Sequence, residues 1–404
     1  MTALPWRLAV NLQAVLTQAA WVGVRLMIGY RALDAGADPV LLGFFAASFA
    51  VPALAAALPV GRYSDRFGGA VVVLVGVVIV LAGVLAAAWT FDLLVLLAAS
   101  VVIGLGHLMA VVGAQTFVAH RTSGGATDGA FGTLTASASI GQFLGPPLVT
   151  IGAALGGSAS RPDTSVGLLA AGACALAALP FFVVLRRVDH STRSVRAANR
   201  ESPSGVGAML LSAGMWRALL VSGAVLATMD LMYAFVPVWA LENRVGVIAV
   251  GWLLALRALV SVLSRYSIDR LVRGFGRKAL LIIAMSIAVA SLALLPFVDG
   301  YGAIAVMIGL GIGLGLPQPL TLSWVIGISR SSDLGAALGL RMTANRLAQV
   351  TMPIAVSVVA APLGVAAVFW ANAVILACSV AVVAGSQPGP FPETGPLDVI
   401  EDHG

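Results

Sequence analysis

Charged residues are scarce in this sequence. Only 10% of the 404 positions are charged, whereas 60% are hydrophobic. A soluble globular domain carries about 25% charged residues, so the shortage excludes the soluble class. One very large soluble core is excluded too, because no polar helix face is left to meet water. The mean hydropathy of +1.01 instead indicates a chain embedded in a lipid bilayer.

Cysteine and catalytic motifs are scarce as well. The two cysteines, Cys174 and Cys378, lie inside apolar runs without disulfide or metal-ligand spacing. A phosphate-binding loop of the Gly-x4-Gly-Lys-Ser/Thr kind is missing, which excludes ATP as the energy source. At membrane depth we find neither a Ser/His/Asp set nor His-Glu-x-x-His. We therefore predict that the protein is not an enzyme and has no cofactor and no metal site.

Long apolar segments fill most of the chain. A helix crosses a bilayer core of about 30 Å with roughly 20 apolar residues. Twelve such spans are predicted, at residues 8–30, 39–60, 70–89, 93–118, 131–155, 166–185, 216–239, 247–264, 278–297, 301–324, 337–360 and 363–384. The sequence therefore predicts an all-α integral membrane protein, whose 12 transmembrane helices form two pseudo-symmetric six-helix bundles.

Polar stretches divide this chain into four parts. We predict an N-terminal bundle at 1–185, a basic linker at 186–212, a C-terminal bundle at 213–384 and a disordered tail at 385–404. The linker is rich in arginine, which anionic lipid at the cytoplasmic surface would attract. A simple solvated loop explains the linker equally well.

Arginine supplies nearly all of the positive charge, because Lys278 is the single lysine among 23 basic residues. With the N-terminus inside, the opposite side receives only Arg31, Arg161 and Arg244. This asymmetry predicts a multi-pass protein of a bacterial-type inner membrane with both termini cytoplasmic. Because the arginines lie in short loops between spans, we expect the lipid bilayer and no nucleic acid as a partner.

Ionisable residues at membrane depth are costly, so each one is a candidate functional residue. The predicted spans contain few of them, and spans 3, 6, 9 and 12 are nearly bare. A polar cavity lined by the other spans is therefore expected. The predicted substrate or proton pathway consists of Arg25, His107, Gln142, Asp230, Arg257, Asn345 and Arg346.

Each of these candidates has an alternative explanation. Arg25 and Arg346 either face the cavity or extend to the membrane surface. Asp230 either pairs with Arg25 or Arg257 as a structural bridge or exchanges a proton during transport, because burial favours the neutral acid and a nearby arginine favours the anion. His107 lies three residues after Gly104 in a segment of small residues. Its role is either close helix packing or proton transfer.

A charged segment occurs twice, as Gly61-Arg-Tyr-Ser-Asp-Arg-Phe-Gly-Gly69 and as Arg265-Tyr-Ser-Ile-Asp-Arg270 with Gly276-Arg277-Lys278 following. We interpret both copies as turns between spans. Gly61-x3-Asp65-Arg66-x-Gly68 resembles the loop 2–3 signature of the major facilitator superfamily, and the second copy is similar to its counterpart in the second half. Gly69 and Ala70 replace the usual basic pair, which the second copy keeps as Arg277-Lys278.

This resemblance implies a secondary transporter that works by alternating access. We expect a small-molecule solute and protons as its partners, because Asp230 is the one carboxylate at membrane depth, and we expect it to function as a monomer. The resemblance also implies a conformational latch formed by Gly61, Asp65, Arg66, Gly68, Asp269, Arg270 and Arg341. In this latch Asp65 would meet the start of span 11, where Arg341 is the partner. A cap on span 3 is the alternative role for Asp65.

A second resemblance concerns span 5. Gly132-x8-Gly141-x3-Gly145-Pro146 is similar to the helix 5 motif of drug/proton antiporters, although Val149 and Thr150 stand where that motif has a closing glycine pair. This resemblance favours export of a small organic solute in exchange for protons. The excess of buried arginine favours the alternative, proton-coupled uptake of a small organic anion.

Overall fold

The computed structural model describes residues 5–122, 126–189, 214–329, 334–360 and 363–386, and within these ranges the chain forms helices and no strands. The first half contains α1 (Trp6–Asp34), α2 (Pro39–Ser48), α3 (Val51–Phe67), α4 (Gly69–Trp89), α5 (Leu93–Arg121), α6 (Ala126–Gly156) and α7 (Thr164–Asp189). The second half contains α8 (Met215–Glu242), α9 (Val247–Tyr266), α10 (Ile268–Phe275), α11 (Arg277–Leu294), α12 (Gly302–Gly315), α13 (Pro317–Ile328), α14 (Leu334–Ala360) and α15 (Val365–Ala384).

The predicted all-α membrane class is confirmed. Among the described residues, eleven segments are long and apolar enough to cross a membrane. Helix α14 is also long enough, but its two arginines and two amides lower its hydropathy. Two predicted spans are each built from a pair of helices: α2 and α3 break near Pro52, and α12 and α13 break before Pro317. Proline has no amide hydrogen to donate, so helices break at such positions.

The duplicated charged segments are mostly helical, and the prediction that they are turns between spans was wrong. Helix α3 continues through Phe67, and the second copy forms the end of α9 and the short helix α10. The chain reverses at Gly68 (φ +98°) and at Gly276 (φ +74°). Because residues with a Cβ are strained in this conformation, glycine is required at both positions. The sequence repeat is thus also a repeat of backbone geometry.

Each half ties the start of its third span to the end of its sixth. In the first half, the carboxylate of Asp189 accepts a hydrogen bond from the Ala70 backbone N–H at 3.1 Å. In the second half, Lys278 donates to the carbonyls of Ala384 and Ser386, at 2.9 and 2.6 Å. A carboxylate suits a helix N-terminus and an ammonium suits a helix C-terminus. The first half lacks the basic pair after Gly68. It joins the same two spans through a carboxylate at a helix N-terminus, where the second half uses an ammonium group at a helix C-terminus.

Most of the predicted linker and tail lies outside the described residues. The first linker residues, Arg186 to Asp189, continue helix α7. At the other end of the chain, Gly385 ends helix α15 and Ser386 is buried beside Lys278. The structure therefore describes only the borders of these two predicted segments.

We call the end of the bundle that carries Gly68 and Gly276 the linker end, and the opposite end the far end. The two halves contact each other directly at the far end. Three helix pairs meet there through glycines: Gly29 of α1 lies against α8, Gly43 of α2 against α14, and Gly251 of α9 against α6. The Val247 N–H also donates to the Ala159 carbonyl across the halves at 3.0 Å. Small residues allow this close approach of helices.

Arg31 lies at the far end of α1, and its side chain is 1% exposed. It donates hydrogen bonds to the carbonyls of Ala88 and Thr90, at 2.7 and 2.8 Å, and to the hydroxyls of Thr164 and Ser165, at 3.0 and 2.8 Å. It therefore joins α1 to the end of α4 and the start of α7. Arg31 thus lies at the same end of the bundle as Arg161, and these partners bury it. Its predicted side of the membrane stays a prediction.

We expect Arg31→Met to destabilise the first half. Methionine would leave the carbonyl groups of Ala88 and Thr90 unpaired in a buried site, which costs roughly 2–5 kcal/mol. The thermal unfolding midpoint of the detergent-purified protein should fall by several degrees. Arg161→Met, at an exposed arginine of the same end, should change it little. Equal midpoints for the two variants would show that the hydrogen bonds of Arg31 do not stabilise the fold.

Candidate functional site

An ion pair joins the two halves at the centre of the bundle. Arg25 Nη1 of α1 lies 2.6 Å from Asp230 Oδ1 of α8, and the two side chains are 5% and 11% exposed. Asp230 lies on an apolar helix between Met229 and Leu231, so its carboxylate has no route to water along its own helix. The alternative that Arg25 extends to the membrane surface is wrong, because the guanidinium group points inward to this carboxylate.

The second oxygen of Asp230 is occupied as well. Gln349 of α14 donates from Nε2 to Asp230 Oδ2 at 2.7 Å, and its own Oε1 accepts from Arg346 Nη1 at 3.0 Å. The amide therefore connects two charged groups that do not touch each other. Arg25, Asp230, Gln349 and Arg346 form one hydrogen-bonded chain across α1, α8 and α14. We call these four residues the central network.

Three aromatic rings surround the guanidinium group of Arg25. Its Cζ lies 5.3 Å from the ring centre of Trp21, 5.6 Å from that of Phe49 and 5.3 Å from that of Tyr233. The faces of aromatic rings attract cations, and the effect grows when water is excluded. The rings thus partly replace the hydration that Arg25 loses on burial.

Tyr233 also contacts a second buried arginine. Arg257 of α9 is 1% exposed and donates from Nη2 to the Tyr233 hydroxyl at 3.0 Å. Among the described residues, Nε and Nη1 of Arg257 have no hydrogen-bond partner, and neither does Nε of Arg25. Three guanidinium nitrogens with no acceptor are therefore buried near one tyrosine ring. A buried charge without compensation is expensive, so these groups favour an anion.

The remaining predicted pathway residues lie around this centre. His107 stacks on Trp21, with ring centres 3.9 Å apart and planes 5° from parallel. Asn345 is buried on α14, and its Oδ1 has no partner among the described residues. Gln142 is half-buried on α6 and makes no hydrogen bond within the described part of the chain. His107 thus adjoins the centre through its contact with Trp21. Gln142 makes no hydrogen bond with the central residues that the structure describes.

The predicted pathway omits four residues of this site: Trp21, Phe49, Tyr233 and the membrane-depth amide Gln349. Three of them follow helical spacing from charged residues that were found, because positions three or four apart share a helix face. Trp21 precedes Arg25 by four residues, Tyr233 follows Asp230 by three, and Gln349 follows Arg346 by three. Phe49 lies at the break between α2 and α3, where helical spacing gives no signal.

The predicted latch is only partly described. Arg341 donates from Nη2 to the Gln318 carbonyl at 3.2 Å and to the Gln318 Oε1 at 3.1 Å, so it binds within its own half. The side chains of Asp65 and Asp269 lie outside the described part of the chain. Of the other predicted members, Arg66 and Arg270 are exposed, and open space surrounds Gly61. The contact between Asp65 and Arg341 stays a prediction.

The glycines of the helix 5 motif serve helix packing. Side chains at Gly141 and Gly145 would overlap the backbone of α1 at Val15 and Ala19, whereas Gly132 faces open space. Pro146 and Pro147 lie inside α6. Where the motif would close with glycines, Val149 packs on Gly23 of α1 and Thr150 on Gly251 of α9. At these two contacts the glycine therefore belongs to the neighbouring helix, α1 or α9, and not to α6.

The central ion pair should show strong energetic coupling. Removing one partner leaves a buried charge uncompensated, which costs about 3–5 kcal/mol, whereas replacing both partners with apolar residues is often nearly neutral. We expect Arg25→Met to lower the thermal unfolding midpoint more than the double variant Arg25→Met/Asp230→Leu does. Additive losses in this double-mutant cycle would contradict a direct interaction between the two groups.

Comparisons with known proteins agree with this architecture. The family model described as Major Facilitator Superfamily matches residues 10–326 and 235–398. Comparison with curated protein sequences finds no match. Among the described residues, no three His, Cys, Asp or Glu side chains are grouped so as to hold a metal ion.

Solved transporter structures share the fold. The nucleoside transporter NupG aligns with a TM-score of 0.77 at 14% identity, covering 95% of this chain and 100% of NupG. A D-xylose-proton symporter aligns at 0.74 with 15% identity, covering 95% and 98%. The inward-open xylose transporter XylE from E. coli aligns at 0.71 with 16% identity, covering 95% of each chain. Because the family model matches more than half of the sequence, the chain belongs to the Major Facilitator Superfamily and is a multi-pass membrane transporter of small solutes, not an enzyme.

Proposed function

We propose that this protein is a proton-coupled symporter of a small organic anion, in which Asp230 binds the proton and the buried arginines bind the anion. The observation that carries the proposal is the ion pair between Arg25 and Asp230, which links one half of the transporter to the other at 2.6 Å. We further propose that the protein lies in a bacterial-type inner membrane with both termini cytoplasmic, as the loop arginines predict.

The position of the pair gives a route to proton coupling. Arg25 belongs to the first half and Asp230 to the second, and the glycine contacts at the far end hold the halves together there. When the halves separate at the far end, Asp230 loses its cation, and the loss of this nearby positive charge favours the neutral acid. Closure brings Arg25 back and favours release of the proton. The protonation state of Asp230 is thereby linked to the conformation of the transporter.

The same pair couples the proton to an anion. The central residues comprise three arginines and one carboxylate, so protonation of Asp230 removes the single negative charge and frees Arg25. An anion then meets Arg25 in addition to the unpartnered nitrogens of Arg257. Because each ligand favours binding of the other, proton and anion travel together, which is symport.

One further observation removes the support for export given by the helix 5 resemblance, and another favours symport. Gly141 and Gly145 are accounted for by their contacts with α1, so the motif itself gives no direction of transport. One of the proteins with a similar fold is described as a D-xylose-proton symporter. Export by antiport remains the competing outcome of the transport experiment.

The transport experiment uses proteoliposomes and a panel of radiolabelled monocarboxylates and dicarboxylates. An inward proton gradient of about one pH unit should drive up to about tenfold accumulation of a transported anion, since one unit corresponds to about 1.4 kcal/mol per proton. Asp230→Asn should abolish accumulation. Asp92→Asn, at an exposed helix cap where asparagine also caps well, should leave it unchanged.

Three results would overturn this proposal. Undiminished accumulation by Asp230→Asn would remove Asp230 from proton coupling. Accumulation driven only by an outward proton gradient would indicate antiport and export. A wild-type protein that moves none of the anions but moves neutral or cationic solutes would contradict the anion preference.

Alternating access depends on closure at the far end, and Gly251 tests this closure. A leucine at position 251 would overlap Thr150 and the Pro146 carbonyl of α6. We expect Gly251→Leu to keep the far end open and to lower transport at least about tenfold, which corresponds to about 1.4 kcal/mol of population shift. Gly274→Leu, at a glycine with open space around it, is the matched control.

Labelling measures this opening directly. In a protein without its native cysteines, a cysteine introduced by Ser357→Cys faces Gly43 in the closed far end and should react slowly with an impermeant maleimide added on that side. The added Gly251→Leu change should raise its reaction rate at least about tenfold. An unchanged rate would mean that the contact between α6 and α9 does not control closure.

A further inference from the structure

A cavity of about 220 Å³ lies within the first half, between α1, α5 and α6. Its lining side chains are all uncharged: three amides, two hydroxyl groups, one phenyl ring and small aliphatic groups. They are Gln13, Ala14, Thr17, Gln18, Ala110, Val111, Ala114, Gln115, Phe131, Leu134, Thr135 and Ala138. An engineered cavity of about 150 Å³ in another protein holds benzene, so this cavity has room for a substituted ring.

One residue that lines this cavity carries an unused hydrogen-bond acceptor. Gln13 is 1% exposed, and its Oε1 has no partner among the described residues. Its Nε2 lies 3.4 Å from Thr17 Oγ1, which itself donates to the Gln13 carbonyl at 2.7 Å. A buried amide oxygen without a donor costs about 1–3 kcal/mol, so the site favours a ligand that brings an N–H or O–H group.

One face of α1 leads from this cavity towards the central network. Gln13, Thr17, Trp21 and Arg25 follow each other at intervals of four residues, which places them on the same side of a helix. Thr17 and Ala110 line both this cavity and a void of about 10 Å³ beside Trp21 and His107, which has room for about one water molecule. Trp21 in turn contacts Arg25.

We propose that this cavity binds an uncharged, ring-sized part of the transported solute that carries a hydrogen-bond donor. The inference rests on the proposed function, in which the arginines hold the anionic end of the same solute. The cavity in the first half then recognises the neutral part of the solute by its shape and by a hydrogen bond to Gln13. The arginines at the centre recognise its negative charge. The expected solutes are anions that bear a ring with an amide or hydroxyl group rather than small aliphatic acids.

Thiol labelling with a neutral probe tests this site without knowledge of the solute. In a Cys174→Ala/Cys378→Ala background, Ala138→Cys introduces a single thiol at the cavity wall, and its alkylation by N-ethylmaleimide is timed with and without benzamide. A probe at ten times its Kd occupies about nine-tenths of the sites, so protection should slow alkylation about tenfold. Acetate, which has no ring, should protect little.

Two leucine variants on α5 provide the matched comparison. Ala114→Leu fills the cavity and should remove the protection by benzamide, whereas Ala119→Leu, at an exposed position of the same helix, should keep it. Gln13→Leu removes the acceptor at similar volume and should weaken protection severalfold, which covers the case in which Ala114→Leu does not fold. Protection that is absent in the parent, or equal in all three variants, would overturn the proposed site.

Arg257→Gln separates this proposal from the proposed function. Benzamide should still protect the thiol in this variant, because the cavity contains no charged residue, whereas anion transport should be lost. Protection in a wild-type protein that transports no anion would support the cavity as a site for neutral groups and contradict the anion symport. Loss of benzamide protection in Arg257→Gln would contradict a separate neutral site.

Discussion

The contact between Arg25 and Asp230 is the constraint on which the rest of the centre depends. Moving two ions from water into a low-dielectric interior costs several kcal/mol each, and their attraction offsets this only with good geometry and further hydrogen bonds. Here Gln349 donates a hydrogen bond to the second carboxylate oxygen of Asp230, and three aromatic rings lie around the guanidinium group of Arg25. These surroundings make the pair tolerable at membrane depth. Because its two members belong to different halves, the pair is also sensitive to how the halves are arranged.

The two halves contribute different chemistry to the centre. The second half supplies Asp230, Arg257, Arg346 and Gln349, so most of the charge belongs to it. The first half supplies Arg25, its aromatic neighbour Trp21 and a cavity lined by amides and small side chains. A solute between the two halves would contact mostly charged side chains on the second half and an uncharged cavity on the first. This asymmetry within a pseudo-symmetric fold is what the proposals on anion binding and on the neutral cavity have in common.

Duplication is visible in the backbone and altered in the side chains. Gly68 and Gly276 adopt the same positive-φ conformation before the third span of each half. The contacts beside these turns have opposite polarity, with Asp189 at a helix N-terminus and Lys278 at a helix C-terminus. Both arrangements follow the helix dipole, so either one ties the same two spans. The repeated glycine is required by backbone sterics, whereas different polar side chains can join the same two spans.

The sequence alone determined the membrane class, the two bundles of helices and the buried charged residues, because hydropathy and the cost of charge in lipid act on each segment separately. It also identified Arg25, Asp230, Arg257 and Arg346 as candidates. The extension of α3 through Phe67 was not predicted, because a charged segment at the end of a span reads as a loop.

Only the tertiary structure decided which charges meet. It paired Asp230 with Arg25 rather than Arg257, placed Gln349 between Asp230 and Arg346, buried Arg31 among carbonyls, and set Tyr233 between two arginines. Apart from the contact of Gln349 with Arg346 on α14, these contacts join residues on different helices or in a helix and a distant loop. Their geometry depends on how the helices pack, and no local pattern in one helix specifies that packing.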